Sequence, residues 1–109
     1  MTTKNKKRQL TVDYKELLFE DLKDLNYAAG YLTAALEESE DVFLLAVRDV
    51  AQAHGGMTEL ARATDLNREN LYDMLSKDGN PRLSSIVPVL DKLGFEITFT
   101  PKLQGTKAA

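Results

Sequence analysis

Apolar residues recur every three or four positions through most of this chain, which is the spacing of helices that bury one face. Before residue 54 the pattern predicts three helices, over residues 14–25, 26–36 and 39–53. Asn26 and Ser39 are the predicted caps of the second and third, because side chains of this type accept hydrogen bonds from the unpaired N–H groups of a first helical turn.

The third of these helices has a polar side. Arg48, Asp49 and Gln52 fall away from its apolar positions, so we expect them to face solvent. The pair Gly55-Gly56 ends the helix, since glycine accepts the left-handed backbone that follows many helix C-termini.

Residues 56–76 have the pattern of a helix-turn-helix. A short first helix, a turn at 64–66 and a second helix capped by Asn67 follow one another directly. Asp65 stands in the turn where glycine is common, although aspartate tolerates a left-handed backbone less well. The apolar residues predicted to face back onto the first helix are Leu71, Met74 and Leu75.

The exposed side of the second helix carries residue types that read DNA. In this motif the N-terminal end of the second helix enters the major groove, where Arg and Asn pair with guanine and adenine edges. The predicted base contacts are Asn67, Arg68, Asn70 and Tyr72. The predicted phosphate contacts, at the start of the first helix and around the following loop, are Thr58, Lys77 and Arg82.

A last helix and a strand complete the pattern. Ser84 is the predicted cap of the helix, Pro88 at its fifth residue allows a kink or a later start, and Gly94 ends it. Residues 95–100 alternate strictly between apolar and polar, which predicts a β-strand.

A single strand needs a partner for its backbone groups. The partner is either residues 10–14 or the same strand of a second copy, which would make a homodimer. The side chains of the predicted dimer strand are Phe95, Ile97 and Phe99.

Composition removes several function classes. The chain has 109 residues, no cysteine and one histidine, His54, so we expect no metal site, no cofactor and no catalytic constellation. No apolar run approaches the roughly 18 residues of a membrane span. We therefore predict a non-enzymatic cytoplasmic protein with one helical domain over 11–101, between flexible tails at 1–10 and 102–109.

Charge is distributed unevenly along the chain. Residues 1–8 carry four positive charges, residues 13–41 have a net charge of −7, and residues 42–109 are neutral. The acidic stretch would repel DNA phosphates, so we expect it to lie away from DNA and to suit a basic partner. A merely solvated helical surface would have the same composition.

By its motifs the chain resembles the bacterial addiction-module antidote proteins, which are HigA-like antitoxins with an Xre (lambda-repressor-like) helix-turn-helix. The resemblance covers residues 11–101 and is most specific at Arg68-Glu69-Asn70-Leu71-Tyr72 and Gly79-Asn80-Pro81-Arg82. It implies a mainly α, lambda-repressor-like bundle with N-terminal helices and one C-terminal strand. It also implies binding to operator DNA, repression of the protein's own operon, and neutralisation of a small basic RelE/HigB-like ribonuclease toxin.

Two other functions fit the same sequence. One is a stand-alone Xre-type repressor without a toxin, which a toxin-like neighbouring gene would exclude. The other is a protein-interaction module without DNA binding, which the neutral second half and the acidic Glu69 and Asp73 allow.

Overall fold

Between residues 14 and 93 the chain folds into six helices joined by short connections. The computed structural model describes residues 14–103, so most of the two predicted tails, and residues 10–13 of the alternative strand partner, lie outside the described range. The first helix, α1, occupies residues 14–22 of that range. The others are α2 (Leu25–Glu38), α3 (Glu40–Ala53), α4 (Gly56–Thr64), α5 (Arg68–Met74) and α6 (Leu83–Leu93).

The boundary between the first two helices lies earlier than the apolar spacing predicts. Backbone bonds from Lys23 and Asp24 back to the residues three earlier close a turn there. Asp24 then caps α2 by accepting a 2.9 Å bond from the N–H of Asn26. The prediction that Asn26 caps this helix is therefore wrong, because the extended backbone that a cap requires occurs at Asp24.

Ser39 alone separates α2 from α3. Its backbone is extended, and its hydroxyl oxygen accepts a 3.1 Å bond from the N–H of Val42, as predicted. Its own N–H donates to the Ala35 carbonyl at the end of α2. This one residue ends one helix and starts the next, so α2 and α3 form a tight antiparallel pair.

Helix α3 lies at the centre of the molecule. It packs along α2 on one side and against α4 and α6 on the other. Val47, Val50 and Ala51 have no solvent-exposed surface. Burying one valine or leucine side chain contributes about 1.5–3 kcal/mol. The largest fully buried side chains of the described core are Leu22, Val47, Val50, Leu71, Leu75 and Val89.

Two residues of α3 that were predicted to face solvent are half-buried and contact side chains of other helices. The Tyr31 hydroxyl on α2 donates a 2.7 Å hydrogen bond to Oδ2 of Asp49. Burial raises the pKa of the Tyr31 hydroxyl, and the hydrogen bond and charge of Asp49 raise it further. Arg48, the residue before, lies over the ring of Tyr72 on α5. The prediction is wrong for these two residues because each lies on a side of α3 that faces another helix, whereas Gln52 is exposed as predicted.

Helix α6 begins without a side-chain cap. Arg82 occupies the cap position and makes no capping bond through its side chain, so the prediction for Ser84 is wrong. Pro88 lies inside an otherwise continuous helix. Its missing N–H would have bonded to the Ser84 carbonyl, and both residues are exposed, so water can satisfy that oxygen. Gly94 ends the helix in the left-handed conformation, as predicted.

Residues 95–100 form no strand, contrary to the prediction. A strand is defined by hydrogen bonds to a neighbour, and the described residues offer none: of the alternative partner, only Tyr14 is described, and it is helical. Phe95 instead turns inward and packs against the helical core. Ile97 lines a hollow beside α2 and α6, while Phe99 is 94% exposed.

The Tyr31–Asp49 bond predicts a measurable contribution to stability. Tyr31→Phe should lower the free energy of unfolding by about 1 kcal/mol, because it leaves a half-buried carboxylate without its donor. Because the folded-state pKa of Tyr31 is raised, this contribution should persist through neutral pH and fade only above the ordinary tyrosine value of about 10. Urea denaturation measures it. Tyr27→Phe, at an exposed position of the same helix, is the control, and an equal loss in both variants would contradict the assignment.

Candidate nucleic-acid interface

Helices α4 and α5 pack against each other, and local hydrogen bonds hold the turn that joins them. Asp65 ends α4 with a left-handed backbone at φ 63°, and its N–H bonds to the Ala61 carbonyl. The Thr64 hydroxyl donates a 2.8 Å bond to the Leu60 carbonyl. The sequence placed glycine-like geometry at Asp65, and the structure confirms it. These bonds fix where α5 begins.

Asn67 caps α5, as predicted. Its Oδ1 accepts a 2.7 Å bond from the N–H of Asn70. Leu71 and Leu75 then turn inward and are fully buried, which fixes the rotation of the helix about its axis. Met74, the third residue predicted to face inward, is half-buried.

The opposite side of α5 is open to solvent. Arg68, Glu69 and Asn70 are exposed, and Tyr72 is half-buried at their edge. Three of the four predicted base contacts line one shallow hollow together with Glu69, and they are Asn67, Arg68 and Tyr72. Asn70 lies outside that hollow on the exposed surface. Because the Asn67 oxygen already accepts the capping bond, its two amide N–H groups are the part of the side chain left wholly free for a ligand.

Arg48 lies beside this surface, although its position in the sequence predicts that it faces solvent. The guanidinium carbon of Arg48 lies 5.2 Å from the centroid of the Tyr72 ring. The guanidinium carbon of Arg68 lies 5.7 Å from the same centroid. Both distances are within cation–π range. Nε of Arg48 is buried and makes no hydrogen bond within the described residues. The sequence could have indicated this position, because Leu44, Arg48 and Ala51 follow helical spacing on one face of α3. Arg48 therefore lies between two buried residues.

The predicted phosphate contacts stand at the ends of neighbouring elements. Thr58 is exposed in the first turn of α4, a helix whose start has no side-chain cap. Lys77 and Arg82 are exposed on either side of the loop between α5 and α6. Gly79 shapes that loop, since a Cβ there would overlap the Met74 carbonyl at the end of α5.

Acidic residues within the motif are only partly neutralised. Glu59 forms a 2.6 Å ion pair with Arg62 on α4. Among residues 14–103, Glu69 and Asp73 form no ion pair, so two negative charges remain on α5. The surface is therefore a mixture of cations, amides and carboxylates rather than a uniformly basic patch.

The rest of the described chain shows no competing chemical site. Residues 14–103 contain no group of three metal-ligating side chains. Nε2 of His54 donates a 2.7 Å hydrogen bond to the Leu22 carbonyl, which ties the end of α3 to the end of α1. No helix in that part of the chain is long and apolar enough to cross a membrane.

The left-handed turn residue predicts an unusual gain on substitution. Asp65→Gly should raise the free energy of unfolding by up to about 1 kcal/mol, because glycine adopts positive φ without the clash of a Cβ. Asp65→Val should lower it, since a β-branched residue fits this conformation worst. Chemical denaturation compares them with Asp73→Gly, which lies inside α5 and should lose stability. Equal losses for both glycine variants would contradict the turn geometry.

Comparison with known proteins identifies the family. The sequence model of a family described as "Probable addiction module antidote protein" matches residues 14–101. An uncharacterized protein of Haemophilus influenzae is 32% identical over 87 residues, covering 71% of this chain and 89% of that relative. No solved structure matches the chain. The chain therefore belongs to the family of addiction-module antidote proteins, whose members are antitoxins with a toxin as partner.

Proposed function

We propose that this chain is a HigA-like antitoxin that binds and neutralises a RelE/HigB-like ribonuclease toxin and represses its own operon through an Xre-type helix-turn-helix. Family membership supports the antitoxin role and favours it over a stand-alone repressor or an enzyme. The observation that carries DNA binding is the exposed edge of α5, where Arg68 and Arg48 flank Tyr72.

In this proposal α5 enters the major groove with its N-terminal turn first. Arg68 donates to the two acceptors of a guanine, and the free amide of Asn70 pairs bidentately with an adenine. Asn67 has a narrower role, because its oxygen is held by the cap. It donates its amide N–H groups to an acceptor such as a guanine or adenine N7 or a thymine O4.

Arg48 supports this reading from behind α5. Its guanidinium lies against Tyr72, so the ring is held at the edge of the hollow that Arg68 also borders. Thr58, Lys77 and Arg82 bind phosphates and set the register of the helix without reading sequence. Gly79 serves the same purpose indirectly, by keeping the loop between Lys77 and Arg82 close to α5.

A homodimer completes the proposal. The exposed apolar side chains Leu36, Leu83 and Phe99 lie on or beside the hollow next to residues 95–100. A second copy would bury these groups and present two α5 helices to two half-sites.

An interaction module without DNA binding is the competing function. The unpaired carboxylates of Glu69 and Asp73 favour it, because negative charge on α5 opposes the approach of phosphates. Binding to the DNA upstream of the protein's own operon, measured at several salt concentrations, separates the two. The absence of binding even at low salt would refute the repressor role and leave the antitoxin role standing.

Two classes of variant should differ in how they bind this DNA. Arg68→Ala or Asn70→Ala should cost about 1–3 kcal/mol on the cognate site and relax discrimination at one base pair. Lys77→Ala or Arg82→Ala should weaken binding to all sequences alike and reduce the salt slope by about 0.9 for each lost contact. Competition binding against single-base operator variants distinguishes the two effects.

Lys23→Ala is the control for this series, because Lys23 is an exposed cation far along the chain from the motif and pairs with Glu20. Its salt slope should match that of the unmodified protein. If Arg68→Ala and Asn70→Ala keep full affinity and discrimination, α5 is not the reading helix.

The dimer should depend on the exposed C-terminal aromatic. Sedimentation should give about twice the 12.2 kDa chain mass at tens of micromolar concentration. Phe99→Asp should shift the population to monomer, because it places a charge in the buried interface. Tyr14→Asp, at an exposed aromatic on α1, is the matched control. A monomeric unmodified chain would refute this part of the proposal.

A further inference from the structure

A shallow apolar groove runs between α2 and α3, on the side of α3 that carries Asp49. Ala35 and Ala46 are buried at its base, while Val42 is 39% and Leu45 37% exposed along one edge. The lining residues of each helix follow the spacing i, i+3, i+4, i+7, so two straight helical rows face each other. This shape accepts the side-chain ridge of a third helix.

The surroundings of the groove are strongly acidic. Residues 24–49 contain six carboxylates and a single cation, Arg48. Arg48 is directed toward Tyr72 on α5, so it does not neutralise this surface. Glu38 lies in the groove itself, and Glu37 is three residues from the lining residue Ala34 on the same helix. None of the six carboxylates forms an ion pair among residues 14–103.

We infer that the α2–α3 groove is the docking site for the toxin, through an amphipathic helix with an apolar ridge and flanking Lys or Arg side chains. This inference rests on the proposed function, since it takes the toxin as the partner. Charge complementarity selects the occupant: a cationic helix relieves repulsion among the carboxylates, whereas a second copy of this acidic face would increase it.

Tyrosines add binding area beside the groove. Tyr31 lines the groove, and Tyr27 is exposed one helical turn earlier on α2. Tyrosine is enriched among residues that dominate binding energy, because it buries a large rigid surface at little entropic cost.

The groove is separate from the candidate DNA surface. Its lining residues come from α2 and α3 alone, and none belongs to α4, α5 or α6. The adjacent residues Arg48 and Asp49 show the separation, because one contacts α5 and the other contacts α2. One chain can therefore hold toxin and DNA on different sides of α3.

The test uses the full chain and, as the toxin probe, the purified product of the gene adjacent to its own. Leu45→Arg and Val42→Arg should each weaken the complex at least about 100-fold, because they place a cation in an apolar groove that faces a cationic partner. Val87→Arg, at a position on α6 with the same 39% exposure as Val42, should bind normally. Melting temperatures confirm that all three variants fold.

Charge reversal provides a second variant at exposed positions. Glu37→Lys with Glu38→Lys should slow association about tenfold at low ionic strength and much less at high salt. Reversing Glu16 and Asp21 on α1 is the matched control. Each variant is also titrated with the operon's upstream DNA, where the groove variants should behave as the unmodified chain.

The outcomes separate this inference from the function it rests on. Unchanged toxin affinity in the folded groove variants overturns the groove assignment while the antitoxin role stands. Failure of the unmodified chain to bind the toxin refutes the antitoxin proposal and the groove with it. If Leu45→Arg lowers the oligomeric mass but leaves toxin binding intact, the groove joins two copies of the chain and the inference is wrong.

Discussion

The burial of α3 is the constraint on which the other features depend. This helix packs against α2 on one side and against α4 and α6 on the other. Its Val47 and Val50 side chains are fully buried. Its two half-buried polar residues also make contacts with neighbouring helices. Asp49 receives the Tyr31 hydroxyl, and Arg48 covers Tyr72. Helices α2, α4 and α6 therefore pack against the same central helix, and α5 packs against α4.

Two kinds of interaction orient α5, namely local hydrogen bonds at its start and the packing of its apolar side chains into the core. The left-handed Asp65 and the Asn67 cap determine where the helix starts and in which direction it leaves the turn. Leu71 and Leu75 determine its rotation, since both must point into the core. The side left outside is consequently Arg68, Glu69 and Asn70. Such a short helix keeps a defined exposed face because independent interactions act at its start and along its length.

Much of this architecture was predictable from residue spacing. The apolar rows located the helices, and the run from residue 56 to 76 contained α4, the turn and α5 in the expected order. Caps were harder to predict, because Asp24 and Asn26 are both residue types that cap helices and lie two residues apart. The strand at 95–100 failed for another reason. Alternation describes which residues suit a strand, but only a neighbouring backbone makes one.

The spacing of apolar residues could not predict which helices contact each other at the candidate site. The predicted base-contact residues came from one helix and one motif, so their common placement followed from local periodicity. Arg48 lies twenty residues before Arg68, and its proximity to Tyr72 depends on how α3 and α5 are each placed against α4. Sequence periodicity could place Arg48 in a buried row but could not name its partner.

Because a single residue separates α2 from α3, the number of residues in this junction is constrained. Each residue of an α-helix turns the chain by about 100°, so one inserted residue near Ser39 would rotate α3 by that angle relative to α2. Asp49 would then swing away from Tyr31, and the apolar rows would lose their register. Thr or Asp at position 39 preserves the cap, because each supplies an acceptor oxygen at the same place. Relatives of this chain should therefore conserve the spacing at this junction and vary there only among residue types that cap a helix.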